Sequence, residues 1–348
     1  MLETPQIIAS VPPWAPGLEK ERELPAGGSV SFVDLRSRDP SLTPGEWPPQ
    51  LIRDATVLLC EVPPSNSSEM HSLEWIQLGS AGYEQLHGLP VAARGVRVTN
   101  ASGATDVPSA EGCLTMMIMF ERDFRRLLDN QRACAWDRDA RFQSELRGRR
   151  AGIIGYGNIG REVGRVCRCL GLEVWAMDRT PIGPRPNRYA PPGTGDTEGV
   201  LPHRKFTTDR MPDFLPHLDY LILAMPRTMN TRGLIGEREL RMLPPHAVLL
   251  NPARGPLVDE ASLLTALREG WIAGAALDAH YHYPLPPEHP LWAMPNVILT
   301  PHISGSSAGR AFLPRVWELF AENLERYLAG RPLLNELHPD ELASVGAG

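Results

Sequence analysis

Positive charge is in short supply here. The 348 residues carry 35 Lys and Arg against 41 Asp and Glu, a formal net charge of −6. A dedicated nucleic-acid binder needs a basic face, so that class is excluded. No run of about 18 apolar residues occurs, which rules out a membrane span. The start, Met1-Leu-Glu-Thr-Pro, lacks a basic segment followed by an apolar stretch, so no signal peptide is read and a cytoplasmic location is expected. Cysteines number five (Cys60, Cys113, Cys134, Cys167, Cys169), an odd count without Cys-x-x-Cys spacing. Reduced thiols fit that pattern. Glycine and proline are plentiful, at 31 and 35, which implies many loops. Apolar residues at 42% and charged residues at 22% are ordinary for a globular protein. The length exceeds what one core usually serves, so two domains are expected.

Short apolar runs at residues 29–34, 55–60, 73–79 and 96–100 read as strands separated by helix-length segments, an α/β unit in roughly the first 105 residues. From 109 to about 134 the spacing is helical, with Pro108 suited to a first turn and Thr105 or Asp106 as a cap. This helix either joins two domains or packs against a second subunit.

The most informative stretch is Ala151-Gly-Ile-Ile-Gly-Tyr-Gly-Asn-Ile-Gly160. A strand ends in Gly-x-Gly-x-x-Gly, an amphipathic helix follows over 161–170, and a second strand over 172–177 ends at Asp178. Gly155 permits a tight turn, Gly157 lets a pyrophosphate approach the backbone, and Gly160 lets helix and strand pack closely. The helix N-terminus stabilises the phosphate charge. Asp178, eighteen residues after Gly160, suits the ribose hydroxyls and repels a 2′-phosphate, which favours NAD over NADP. Arg179, Thr180, Arg185 and Arg188 soften that preference. Residues 181–202 hold ten Gly or Pro among 22 and read as an irregular excursion beside the adenosine end.

Strands at 218–224, 246–251, 273–277 and 296–300, with a helix at 257–269, complete a doubly wound sheet. Ligands sit beyond the carboxyl ends of such strands. The polar residues there are Asp178, Arg254, Asp278 and His302. Arg254 offers a bidentate fork for an α-oxo-carboxylate and polarises the carbonyl that receives a hydride. His302 gives or takes the proton of the corresponding alcohol. His280 and His282 alternate with Tyr281 and Tyr283, but nothing completes a metal tetrahedron around them, and no metal is expected. Glu288, His289 and Trp292 are candidates for the cleft mouth. Cys167 and Cys169 read as core or partly buried thiols.

Ile153–Gly160, Asn251-Pro-Ala-Arg-Gly-Pro256, Gly274-Ala-Ala-Leu-Asp278 and Leu299-Thr-Pro-His-Ile-Ser-Gly305 occur in the order seen in D-isomer-specific 2-hydroxyacid dehydrogenases, and the chain resembles that family over about residues 55–335. Gly79–Tyr83 and Val96–Asn100 are similar to its substrate-domain segments. The resemblance implies an α/β fold of two doubly wound domains, with a Rossmann cofactor domain at 109–303 inserted into a flavodoxin-like substrate domain at 1–108 and 304–348. It implies that a tail helix at 311–328 returns to the first domain, and that the cofactor domains form a homodimer. By matching position, Arg254 binds substrate and His302 is the acid/base. The cofactor set is Gly155, Gly157, Asn158, Ile159, Gly160, Asp178, Arg179, Met225, Pro226, Ala253, Asp278 and His302, with Asp278 meeting the nicotinamide. Ser80, Ala81 and Gly82 meet the substrate carboxylate through backbone N–H groups.

One position departs from the family. Where relatives carry a glutamate that orients the histidine, this chain has Tyr283, the third member of the expected catalytic set. A tyrosine hydroxyl, with a reference pKa of about 10, orients the ring without a negative charge near neutrality. The charged form of His302 is therefore expected to be lost at lower pH than in relatives. The family's formate dehydrogenases also lack the glutamate and need no proton transfer, a minority reading because Thr105 stands where they carry an asparagine that holds formate. A third reading is a weakly active or non-catalytic NAD(H) sensor. Retention of both Arg254 and His302 favours the dehydrogenase of a small D-2-hydroxy acid or 2-oxo acid.

Overall fold

Apolar runs too short for helices build two parallel sheets. A computed structural model describes residues 5–11, 30–32, 45–86, 88–89, 91 and 93–344. The chain divides into two compact units, one of residues 1–105, 186–191 and 307–348, the other of residues 106–185 and 192–306. The first unit holds β1 (Ile7–Ala9), β2 (Val30–Phe32), the short α1 (Pro49–Ile52), β3 (Val57–Cys60), β4 (Trp75–Leu78) and β5 (Arg97–Thr99). The second begins with α2 (Asp106–Glu121), α3 (Phe124–Arg132), β6 (Arg150–Ile154), α4 (Asn158–Cys169), β7 (Glu173–Asp178) and β8 (Arg204–Thr207). It continues with α5 (Met211–Phe214), β9 (Tyr220–Leu223), α6 (Glu237–Met242), β10 (Val248–Asn251), α7 (Glu260–Glu269), β11 (Gly274–Leu277) and β12 (Val297–Leu299). The chain then returns to the first unit for α8 (Phe312–Leu328) and α9 (Pro339–Ser344).

In the first unit the strand order is β2-β1-β3-β4-β5, every pairing parallel, the flavodoxin-like order. Successive residues face opposite sides, as the pleat requires. Val57, Leu59 and Trp75 face one apolar cluster with α8, while Leu58, Cys60 and Ile76 face another. Phe320 of α8 stacks on Trp75 with ring centroids 5.3 Å apart.

In the second unit the order is β12-β11-β10-β9-β6-β7-β8, again parallel throughout. Both faces are covered: Ile154, Leu221, Leu223 and Leu249 enter one cluster, Ile153, Tyr220, Ile222 and Leu250 the other. Strands buried on both faces read as continuous apolar runs. The order runs outward in opposite directions from the β6–β9 pair, so the carboxyl ends of those strands form the switch point where ligands bind such sheets.

The structure differs from the sequence reading at several places. The helix expected over 109–134 starts at Asp106 and is broken. Asp123 takes a left-handed φ of 40° and its side chain caps α3 by accepting from the Arg126 N–H at 3.5 Å. Apolar spacing continues across the break, so periodicity alone hides it. Residues 255–257 form a separate 3-10 turn, and α7 starts later, with Asp259 accepting from the Ser262 N–H at 2.9 Å. β8 has no apolar run because it is an edge strand, where charged residues guard against unwanted pairing. Residues 186–191, read as part of the inserted segment, belong to the first unit. There Tyr189 is buried and its N–H donates to Asn335 Oδ1 at 3.1 Å.

Candidate active site

β6 stops at Gly155, whose φ of 90° is the left-handed region that glycine adopts without penalty. A Cβ there would stand 2.7 Å from the carbonyl carbon of Ala224, at the end of β9. A Cβ on Gly160 would lie 2.2 Å from the Gly155 carbonyl oxygen, so α4 seats on the turn only with glycine at that position. On Gly157 the same construction meets a single atom, Arg185 Nη1 at 3.4 Å, and no backbone. No side chain caps the first turn of α4, which begins at Asn158 and Ile159. A backbone-lined concavity at a helix N-terminus, kept open by glycine, fits the pyrophosphate of a dinucleotide.

Asp178 closes β7 beside this turn. Its Oδ2 accepts from the Tyr156 N–H at 2.9 Å and its Oδ1 from the Arg179 N–H at 2.7 Å. Each oxygen keeps a second lone-pair site for a ribose hydroxyl. The Arg179 side chain is exposed, and Met225 is buried just beyond β9, followed by Pro226.

β10 ends at Asn251, whose side chain is 1% exposed and shapes the turn that carries Arg254. Asn251 Oδ1 accepts from the Ala253 and Arg254 N–H groups, each at 3.2 Å, and Nδ2 donates to the Arg254 carbonyl at 2.8 Å. Arg254 Nη1 donates to the Ala253 carbonyl at 2.8 Å. Gly255 is required beneath it, since a Cβ would lie 2.3 Å from the His280 carbonyl carbon.

His302 follows β12 with a φ of 57°. A non-glycine residue held there costs about 1–3 kcal/mol and persists only where its surroundings enforce it. Asp278 supplies the enforcement. Its Oδ1 accepts from Thr300 Oγ1 at 2.7 Å and the Ile303 N–H at 2.9 Å; its Oδ2 accepts from the Ser304 N–H at 3.1 Å and from Ser304 Oγ. The ring Nδ1 of His302 lies 3.0 Å from the Tyr283 hydroxyl, which also accepts from the His280 N–H at 3.2 Å. The buried His280 Nε2 donates to the Thr300 carbonyl at 2.7 Å, which fixes its tautomer and leaves Nδ1 buried without a partner.

Two groupings result: the glycine turn with Asp178, and His302 with Tyr283 and Asp278. Arg254 stands on its own turn at the same sheet edge, after β10. Both oxygens of Asp278, the residue expected at the nicotinamide, accept from donors of residues 300–304. These bonds tie the loop that carries His302 to the end of β11. Ser80, Ala81 and Gly82 lie in the first unit. There Ser80 Oγ donates to the Gly82 carbonyl at 2.8 Å and Asn100 Nδ2 to the Ala81 carbonyl at 2.8 Å. His289 Nε2 pairs with Glu260 Oε1 at 2.7 Å, and Trp292 is exposed.

Sequence reasoning missed a buried polar cluster behind the glycine turn. Arg161 is 5% exposed, Glu162 1% and Asp196 6%. The Tyr156 hydroxyl donates to Asp196 Oδ2 at 3.0 Å, and burial beside that carboxylate drives its pKa far up. Burial pushes the Arg161 guanidinium down from its ordinary value, with the neighbouring Arg185 charge second. The signal was present: Arg161 and Glu162 adjoin the buried stripe of Gly160, Val163 and Cys167 on α4, where charged side chains need partners from another segment. Cys167 is buried and its thiol is pushed up to about 12 by desolvation, whereas Cys169 is exposed rather than part of the core. Among the described residues no helix is long and apolar enough to cross a membrane, and no three His, Cys, Asp or Glu are grouped to hold a metal.

The family model for the D-isomer specific 2-hydroxyacid dehydrogenase NAD binding domain matches residues 114–304. A glyoxylate reductase of Thermofilum pendens is 32% identical over 299 residues, covering 82% of this chain and 84% of that one. A D-3-phosphoglycerate dehydrogenase of Archaeoglobus fulgidus is 30% identical over 270 residues; 77% of this chain matches 47% of that protein, so this chain spans about half its length. Among solved structures, a D-isomer specific 2-hydroxyacid dehydrogenase from Xanthobacter autotrophicus Py2, in complex with NADPH and MES, is 26% identical with a TM-score of 0.73. That match covers 97% of this chain and 99% of the other.

Proposed function

The chain belongs to the D-isomer-specific 2-hydroxyacid dehydrogenase family, and from that premise we propose that it interconverts a small 2-oxo acid and its D-2-hydroxy acid with NAD(H). The observation that carries the reading is His302, held in a costly backbone conformation by Asp278 and oriented through Nδ1 by Tyr283, at the same sheet edge as Arg254. With Nδ1 engaged by Tyr283, proton transfer is assigned to Nε2.

The dinucleotide supplies or accepts the hydride. Arg254 pairs its planar fork with the substrate carboxylate and stabilises negative charge growing on the C2 oxygen. His302 Nε2 gives that oxygen a proton in reduction and takes it back in oxidation. In both states the ring keeps its proton on Nδ1, which donates to the Tyr283 oxygen, an acceptor also of the His280 N–H; the neutral ring held this way has a bare Nε2 that takes the proton in oxidation, and the charged ring gives it up in reduction. No negative charge is added at either stage, so the charged ring is less favoured here than beside a carboxylate. Ser80, Ala81 and Gly82 are assigned the substrate carboxylate through backbone N–H groups. Asp178, with one acceptor site left on each oxygen, is assigned the ribose hydroxyls and a preference for NAD over NADP. A homodimer through the NAD-binding unit completes the reading, supported by the exposed Ile118 and Phe124 on α2 and α3.

The test is NADH and NADPH oxidation by the purified chain with glyoxylate, hydroxypyruvate and longer 2-oxo acids. Turnover of at least one, faster with NADH, is expected. Tight NADH binding with no turnover across the panel would favour the sensor reading.

A further inference from the structure

We propose that Arg185, carried on the glycine- and proline-rich loop after β7, is a ligand for the dinucleotide's pyrophosphate, held over the glycine turn by the buried side chain of Arg161. This rests on the dinucleotide-binding reading given above.

The loop lacks regular structure but is pinned to α4 from both ends. Arg161 Nε donates to the Tyr156 carbonyl at 3.1 Å, Nη2 to the Gly183 carbonyl at 2.7 Å, and Nη1 to the carbonyls of Asp196 and of Thr197, the latter at 3.3 Å. Glu162 Oε2 accepts from the Gly195 N–H at 2.6 Å. Between these anchors the Arg185 N–H donates to the Thr197 carbonyl at 3.0 Å, which fixes the backbone carrying the guanidinium.

The guanidinium itself is half-buried, and no ion pair or side-chain hydrogen bond engages it among the described residues. It stands at Gly157, the position of the turn where backbone is bare and an anion comes closest. A second positive charge, Arg161, is near enough for the two to disfavour one another. Asp196 and Asp178 offset part of this for Arg161, but the guanidinium stays below its ordinary value, and Asp196 spends its oxygens on the Tyr156 hydroxyl and the Val200 and Leu201 N–H groups rather than on Arg185. The Arg185 guanidinium and the positive end of α4 at one bare glycine, with the Arg161 charge behind them, make a site that a phosphate anion relaxes. Position selects the pyrophosphate over a 2′-phosphate, because the ribose edge belongs to Asp178, whose neighbouring cation is Arg179. Arg185 therefore strengthens NAD and NADP alike, in place of the softening of cofactor preference expected from the sequence.

Fluorescence titration of NADH, NADPH, ADP-ribose and 2′-AMP into the wild-type chain, R185Q and R185K tests this. R185Q should bind NADH, NADPH and ADP-ribose about 10- to 100-fold more weakly, the range for losing charge-assisted hydrogen bonds. Its 2′-AMP affinity and melting temperature should be unchanged, and R185K should recover part of the loss. Wild-type NADH affinity in R185Q would overturn the proposal, as would a loss confined to NADPH and 2′-AMP. Failure of the wild-type chain to bind NADH would instead overturn the dinucleotide reading beneath it.

Discussion

Replacing Tyr283 by glutamate puts a full negative charge where a neutral hydroxyl now stands 3.0 Å from His302 Nδ1. With charge centres about 4 Å apart, the attraction is about 1 kcal/mol at the dielectric constant of water and about 4 kcal/mol at an effective value of 20. Tyr283 is 58% exposed and His302 is exposed as well, so the lower part of that range applies. About 1–2 kcal/mol corresponds to about one unit on the pH axis. The sign follows from which form of the ring each direction uses. Reduction needs the charged imidazole, which the new carboxylate favours, so the basic limb of the reduction profile should move up by about one unit in Tyr283→Glu. Oxidation needs the neutral ring, so its rise with pH should move up by the same amount, and oxidation near neutral pH should slow. The assay is kcat/KM in both directions from about pH 5 to about pH 9. Tyr283→Phe is the control. It removes the hydroxyl that serves Nδ1 and the His280 N–H, and should cost about 10-fold in kcat without the upward shift. Superimposable profiles for the wild type and Tyr283→Glu would mean that the charge at position 283 does not reach the His302 ring.

Two further substitutions follow from the same geometry. Asp278→Asn leaves one acceptor oxygen for four donors and aims an amide N–H₂ at the rest, a cost of about 2 kcal/mol or more; melting should fall by about 4 °C or more, with kcat lowered and NADH affinity kept. Asp178→Ser removes the carboxylate that opposes a 2′-phosphate, so the ratio of NADPH to NADH affinity should rise by about 10-fold; an unchanged ratio would remove Asp178 from cofactor selection.

Much of the fold was legible because a parallel sheet buried on both faces leaves long apolar runs, as at residues 218–224 and 246–251. The glycine turn was legible for a related reason: Gly155 and Gly160 occupy places that no side chain fits, so the motif is a direct imprint of geometry. β1 and β8 were not, one being three residues long and the other a charged edge strand. The break at Asp123 escaped because a left-handed residue leaves no mark on apolar periodicity. In the site, residue types at strand ends pointed to Arg254, His302 and Asp178. The task of Asp278 could not be read that way, since its partners lie more than twenty residues away and are ordinary backbone and hydroxyl groups. The Arg161–Asp196 cluster was hidden inside a loop whose composition suggested only irregularity, and the position of Arg185 over Gly157 depends on that cluster.

In the proposed reaction His302 alone carries the proton, while Arg254 stabilises the growing charge and the remaining contacts bind and orient. A positioned general acid or base contributes about 10²- to 10⁴-fold. In His302→Ala, kcat for 2-oxo acid reduction at saturating NADH should fall within that range while NADH affinity stays within about 3-fold of the wild type. Turnover by His302→Ala at close to the wild-type rate would mean that another group moves the proton.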